Sequence, residues 1–169
     1  MKKFLLIFGL LFSCVFANLY SESVQTSDFI EKIPKINDIN CSFKQEKYLQ
    51  GAIAPITSEG NFQFIKGEGV YFETLKPFHQ IISYSDKNYR QINDLITAIS
   101  NKNYDSLENL FNFFFEQNDL NWTLALEPKE NTSSYDVIEN IEISGNENIE
   151  KLQISLKNGN RTVIWFQTK

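Results

Sequence analysis

Only one histidine, His79, and two cysteines, Cys14 and Cys41, occur in the 169 residues of this chain. That is too few to assemble a structural zinc site, which takes four ligands. Nucleophilic catalysis needs a nucleophile, a base and an orienting group. A Cys41–His79 pair is conceivable, but Cys41 sits on an alternating segment beside Phe43, where a cysteine is more often a small packing residue. The sequence also lacks a Gly-rich phosphate loop and a nucleophile elbow. Carboxylates are plentiful, yet none stands in a paired arrangement that separates from solvated surface. The expectation is a protein that is not an enzyme and carries no cofactor or metal. Positive charge is in short supply too, with 16 Lys and Arg against 21 Asp and Glu. General attraction to nucleic acid or to anionic headgroups is therefore not expected.

No apolar run reaches the roughly 20 residues that a spanning helix needs. The longest, Phe4 to Phe12, follows Lys2 and Lys3 and precedes Val15-Phe16-Ala17. This order of positive start, short apolar stretch and compact residues is that of a secretory signal, expected over residues 1–17. Export then places the mature chain, residues 18–169, in the periplasm. Loss of Lys2 and Lys3 would move the formal charge from −5 to about −7. An alternative cut is offered by Leu11-Phe12-Ser13-Cys14, which resembles the lipobox ahead of an acylated cysteine and would anchor the chain to a membrane. Under either cut Cys41 has no disulfide partner. About 152 residues suffice for one domain with a real core.

Within that domain the apolar residues change period. Thr26-Ser27-Asp28 ahead of Phe29, Ile30 and Ile33 predicts a short helix, limited by Pro34. From Cys41 and Phe43 onward the pattern alternates, predicting strands around 40–46, 61–66, 70–75 and 78–85. Gly51 to Pro55 and Gly67-Glu68-Gly69 supply turns, as does Asp86-Lys87-Asn88. Ile92, Leu95, Ile96 and Ile99 then recur at helical spacing, and so do Leu107, Leu110, Phe111 and Phe114. Strands resume at Trp122, Leu124 and Leu126, continue over 137–143 and 152–156, and close with Arg161 to Phe166 after the hairpin signal Asn158-Gly159-Asn160. The sum is about eight strands and three short helices, joined by short turns. That predicts an α+β fold, mainly antiparallel β.

The strand residues carry a further order. Phe43-Lys44-Gln45 is followed by Ser58-Glu59-Gly60-Asn61-Phe62-Gln63-Phe64, then by Gly69-Val70-Tyr71-Phe72-Glu73-Thr74 with Pro77. Later come Trp122-Thr123-Leu124-Ala125-Leu126-Glu127-Pro128, Ile141-Glu142-Ile143-Ser144-Gly145 and Gly159-Asn160-Arg161-Thr162. In this order the motifs resemble the outer-membrane lipoprotein carrier (LolA-like) family, most of all the branch associated with lipid exporters and acyl-lipid gene clusters. The likeness spans about Ile36 to Phe166. Lys66 stands where those carriers have an arginine, Phe72 where they have a tryptophan, and the last strand ends near Lys169 without their C-terminal extension.

The resemblance implies an incomplete, half-open β-barrel whose mouth is covered by a helical lid. It implies a monomeric periplasmic carrier that takes the acyl chains of a lipoprotein or lipid from an inner-membrane exporter to an outer-membrane acceptor. On this reading Phe43, Phe62, Phe64, Phe72, Trp122, Leu124 and Leu126 line the concave wall. Leu107, Leu110, Phe111 and Phe114 form an apolar plug on the second lid helix. The other readings are a receptor of the LolB-like kind, anchored through an acylated Cys14, and a periplasmic assembly protein that binds no lipid.

Overall fold

The computed structural model describes residues 22–83 and 90–167. The expected signal segment, Cys14 and the turn at Asp86-Lys87-Asn88 lie outside those residues. Nine strands run in chain order: β1 (Ile39–Tyr48), β2 (Ile56–Ile65), β3 (Gly69–Lys76), β4 (Gln80–Ser83), β5 (Phe111–Asn118), β6 (Asn121–Pro128), β7 (Ile138–Gly145), β8 (Ile149–Leu156) and β9 (Arg161–Gln167). They form one sheet in the order β4-β3-β2-β1-β9-β8-β7-β6-β5, and every neighbouring pair is antiparallel. The edge strands β4 and β5 are not paired with each other, so the sheet is not closed into a barrel.

Among the described residues three helices accompany the sheet: α1 (Thr26–Phe29), α2 (Arg90–Asn101) and α3 (Asp105–Glu108). Topology explains their place. The chain leaves the sheet at one edge, β4, and re-enters at the other, β5. The link must cross the whole sheet, and α2 lies within it. Because α2 is apolar on one stripe and polar on the other, it crosses with Ile92, Leu95, Ile96 and Ile99 buried. The expected short first helix is present, and its start is held by the Gln25 N–H donating to Asp28 Oδ2 at 2.9 Å.

One expectation fails. Leu107 to Phe114 is not a second lid helix. α3 is a single turn of four residues, and Phe111–Asn118 is the edge strand β5. The segment satisfies both periods, because Phe111, Phe113 and Phe115 also alternate with Asn112, Phe114 and Glu116. Three consecutive aromatics favour the extended chain, where each ring packs across a neighbouring strand. Asp119, at φ 54°, then turns β5 directly into β6, an added pairing that a helix could not make.

Candidate functional site

Strand register fixes which side chains share a face. Cys41 pairs with Phe62, Phe43 with Gly60, and Phe62 with Phe72. Phe43 also pairs with Phe166, Leu152 with Ile164, Leu124 with Ile143 and Leu126 with Ile141. Side chains alternate along a strand, so these rows join into one continuous apolar inner face from β3 to β6. All seven expected wall residues stand on it: Phe43, Phe62, Phe64, Phe72, Trp122, Leu124 and Leu126, each buried. The outer face is of opposite character. There Lys44 pairs with Glu46 at 2.8 Å, Lys151 with Glu142 at 3.4 Å and Lys76 with Glu59 at 3.3 Å.

Aromatic rings gather at two places on the inner side. In the first, Phe62 lies between Phe72 and Phe166, with ring centroids 4.8 and 4.6 Å away, and Phe72 meets Phe43 edge-on at 5.2 Å. In the second, Phe29 of α1 meets Tyr104, Phe113 and Phe115 at 5.1, 5.6 and 5.6 Å. Phe29 and Tyr104 thereby clamp the α1 and α3 ends of the cover to β5. Burial holds the Tyr104 phenol well above its ordinary pKa.

The four expected plug residues do not act as a unit. Leu107 is buried on α3, Leu110 is half exposed in the turn that follows, and Phe111 is buried on the inner face of β5. Phe114 alternates to the outer face, opposite Ala125. The cover is made instead by α2 together with Phe29, Ile33 and Ile36, all buried in the same cluster as the wall. Helical spacing exposed Ile92 to Ile99 as one apolar stripe, but nothing local showed that Ile36 and Phe166 would join them. Alternation at Ile141/Ile143 and Leu152/Ile154 was a readable signal for further wall positions.

Polar bonds join α2 to the rest of the cover and to β3. Ser100 Oγ donates to the Ile36 carbonyl at 2.9 Å, the Val70 N–H to Asn93 Oδ1 at 3.3 Å, and Lys102 Nζ to Glu31 at 2.9 Å. The first is buried and the others are reachable by water. Beyond the cover, where β1 to β4 continue, a hollow of about 210 Å³ opens on Phe43 and Phe72. Phe78, 80 % exposed, stands at its lip. Among the described residues no group of His, Cys, Asp or Glu is placed to hold a metal ion, and no helix is long and apolar enough to cross a membrane.

No family model matches this sequence, and no curated protein matches it. Solved structures similar in outline include the following two. MucB, solved in complex with MucA(peri), gives a TM-score of 0.45 at 10% identity over 85% of this chain. This chain spans 54% of the MucB chain, about half its length. A LolA superfamily protein from Nitrosomonas europaea gives 0.38 at 10% identity, over 87% of this chain and 94% of that one. Likeness at this level assigns no activity. The fold stands on its own strand order: a nine-stranded, unclosed antiparallel sheet under a helical cover.

Proposed function

We propose that the protein is an exported acyl-chain carrier: α2 lifts from the inner face of the sheet and a hydrocarbon tail takes its place. The supporting observation is the two-sidedness of the sheet. One face carries paired charges and the other a continuous apolar surface, and that apolar surface is covered by a helix that lies within the long link between the two open edges. The residues 1–17 favour periplasmic delivery, and the cargo is the acyl part of a lipoprotein or lipid bound for the outer membrane.

Magnitudes make the exchange feasible. Enclosing a chain of about 15 carbons gains roughly 12 kcal/mol at about 0.8 per methylene. Lifting Ile92, Leu95, Ile96 and Ile99 into water costs about 1.5–3 kcal/mol each, or roughly 6–12 in all. The two are comparable. A cover of this size keeps the empty protein closed in water and leaves a loaded chain weakly enough held to be handed on. A larger cover would block loading, and none at all would make release too slow.

Titration of delipidated protein with a fluorescent long-chain fatty acid tests this reading. Saturable binding near one chain per molecule, displaced by unlabelled palmitate, is expected. A folded protein that binds no such chain refutes it. Mass spectrometry of the mature N-terminus decides between shuttle and anchored receptor: a free Asn18 is expected, and an acylated Cys14 would replace the shuttle by the receptor.

A further inference from the structure

We infer that the hollow beyond the cover is a headgroup subsite, selective for an uncharged headgroup bearing hydroxyl or amide groups. The inference rests on the acyl-chain reading and adds the chemistry of what the chain carries. Along each of four adjacent strands the inner face turns from apolar to neutral polar at this end. Phe43 is succeeded by Gln45, Phe62 and Gly60 by Ser58, Phe72 by Thr74, and on β4 Gln80 takes the inner position. The floor of the hollow is Phe43 and Phe72, continuous with the wall proposed for the chain.

The rim is equipped to bond hydroxyl groups. Gln45 Nε2 donates to Ser58 Oγ at 3.1 Å, which orients the amide and leaves its carbonyl oxygen to accept from a ligand. Thr74 and Gln80 make no side-chain hydrogen bond among the described residues. Between Phe62 and Ser58, Gly60 lets β2 lie close against β3: a Cβ there would meet the Glu73 carbonyl oxygen at 1.9 Å, so the position admits no side chain. A volume of about 210 Å³ is smaller than the 300–1,000 Å³ of pockets for drug-sized molecules. It suits a group such as glycerol, not the chain itself.

Charge decides the class. The residues flanking the rim in sequence are charged, but they alternate to the outer face and are paired there: Glu59 with Lys76, Glu73 with His79 at 3.2 Å, and Lys44 with Glu46. Among the described residues no charged side chain lines the hollow. A carboxylate or phosphate placed there would give up water without meeting a cation, whereas hydroxyls exchange water for Gln, Ser and Thr. Lys47, the next inner position on β1, is exposed and does not line it.

The test is a ranking of three amphiphiles of equal chain length on the delipidated full chain at pH 8, each below its micellar concentration: monopalmitoylglycerol, palmitate and hexadecyltrimethylammonium. Monopalmitoylglycerol should bind at least about tenfold more tightly than either charged amphiphile, the equivalent of one or two neutral hydrogen bonds. Gln45→Leu with Thr74→Val should weaken monopalmitoylglycerol by about fivefold or more and leave the charged pair within about twofold. Equal affinities, or tighter binding of a charged amphiphile, overturn the subsite and leave the acyl reading standing. A palmitate preference abolished by Lys47→Ala overturns it too, by moving recognition to that lysine. Failure of all three to bind removes both readings. Should the double variant not fold, the ranking by the unaltered protein still decides.

Discussion

Phe62 and Phe78 show how differently two phenylalanines of this chain are used. Phe62 is 1% exposed and touches two other rings, so Phe62→Ala should cost about 3–5 kcal/mol of unfolding free energy, read by chemical denaturation. Phe78 is 80% exposed at the lip of the hollow. Its removal should change stability by no more than about 0.5 kcal/mol while weakening acyl binding. Equal effects of the two on stability would mean that the lip is part of the core. Gly60→Ala is a third case. With a backbone oxygen 1.9 Å from the new methyl group, β2 or β3 must shift, at a cost of about 3 kcal/mol, and the hollow should lose its ligand with it. Charges on the outer face set the acid response. Glu46 is held below the ordinary carboxylate range by hydrogen bonds from Lys44 and then Tyr48, and Glu73 by those from Asn61 and then His79. Groups with depressed folded-state pKa stabilise above their unfolded value, and that contribution is lost as pH falls through the folded one. Stability should therefore fall below the normal carboxylate range, and less steeply in Glu46→Gln and Glu73→Gln. Identical acid profiles would show that these bonds do not matter.

At the scale of elements, the cover should be the least stable part. Among the described residues α2 has one buried side-chain hydrogen bond, Ser100 to Ile36, besides its apolar stripe, whereas each central strand is bonded on both sides. Ser100→Ala should speed hydrogen exchange of α2 amides several-fold, since a lost bond is worth about 1 kcal/mol, and leave β1 and β9 unchanged. Uniform loss of protection would mean that cover and sheet open together. The elements also show what was legible in the sequence. Alternation put each wall residue on the buried side of its own strand, because a buried side and a wet side impose a period of two, and the resemblance to the carriers gathered them into one wall. Ile92 to Ile99 announced α2 in the same manner. Residues 107–118 were not legible. Their aromatics satisfy the helical and the extended period alike, and the decision lay in pairing with Asn121–Pro128, a contact that no local pattern contains. The plug expected at Phe111 and Phe114 went with that helix. The hollow was equally hidden, since it depends on four strands changing character at neighbouring levels, seen only once register is known.

For the whole molecule, an open sheet leaves two edges and one long link between them. A closed barrel would need no cover and could not move one. On the proposed reading the same link that completes the core is the part that leaves it. The protein therefore has a filled interior when empty and a potential acyl site when α2 is displaced. Attachment of a photoreactive diazirine near the end of a palmitoyl chain tests this most directly, with the labelled residues located by mass spectrometry. Labels on Phe62, Phe64, Leu124 or Leu126, competed away by unlabelled chain, are expected. Labelling that is not competed, or that is confined to exposed positions such as Phe78 and Ile53, would contradict a hydrocarbon site beneath the helix.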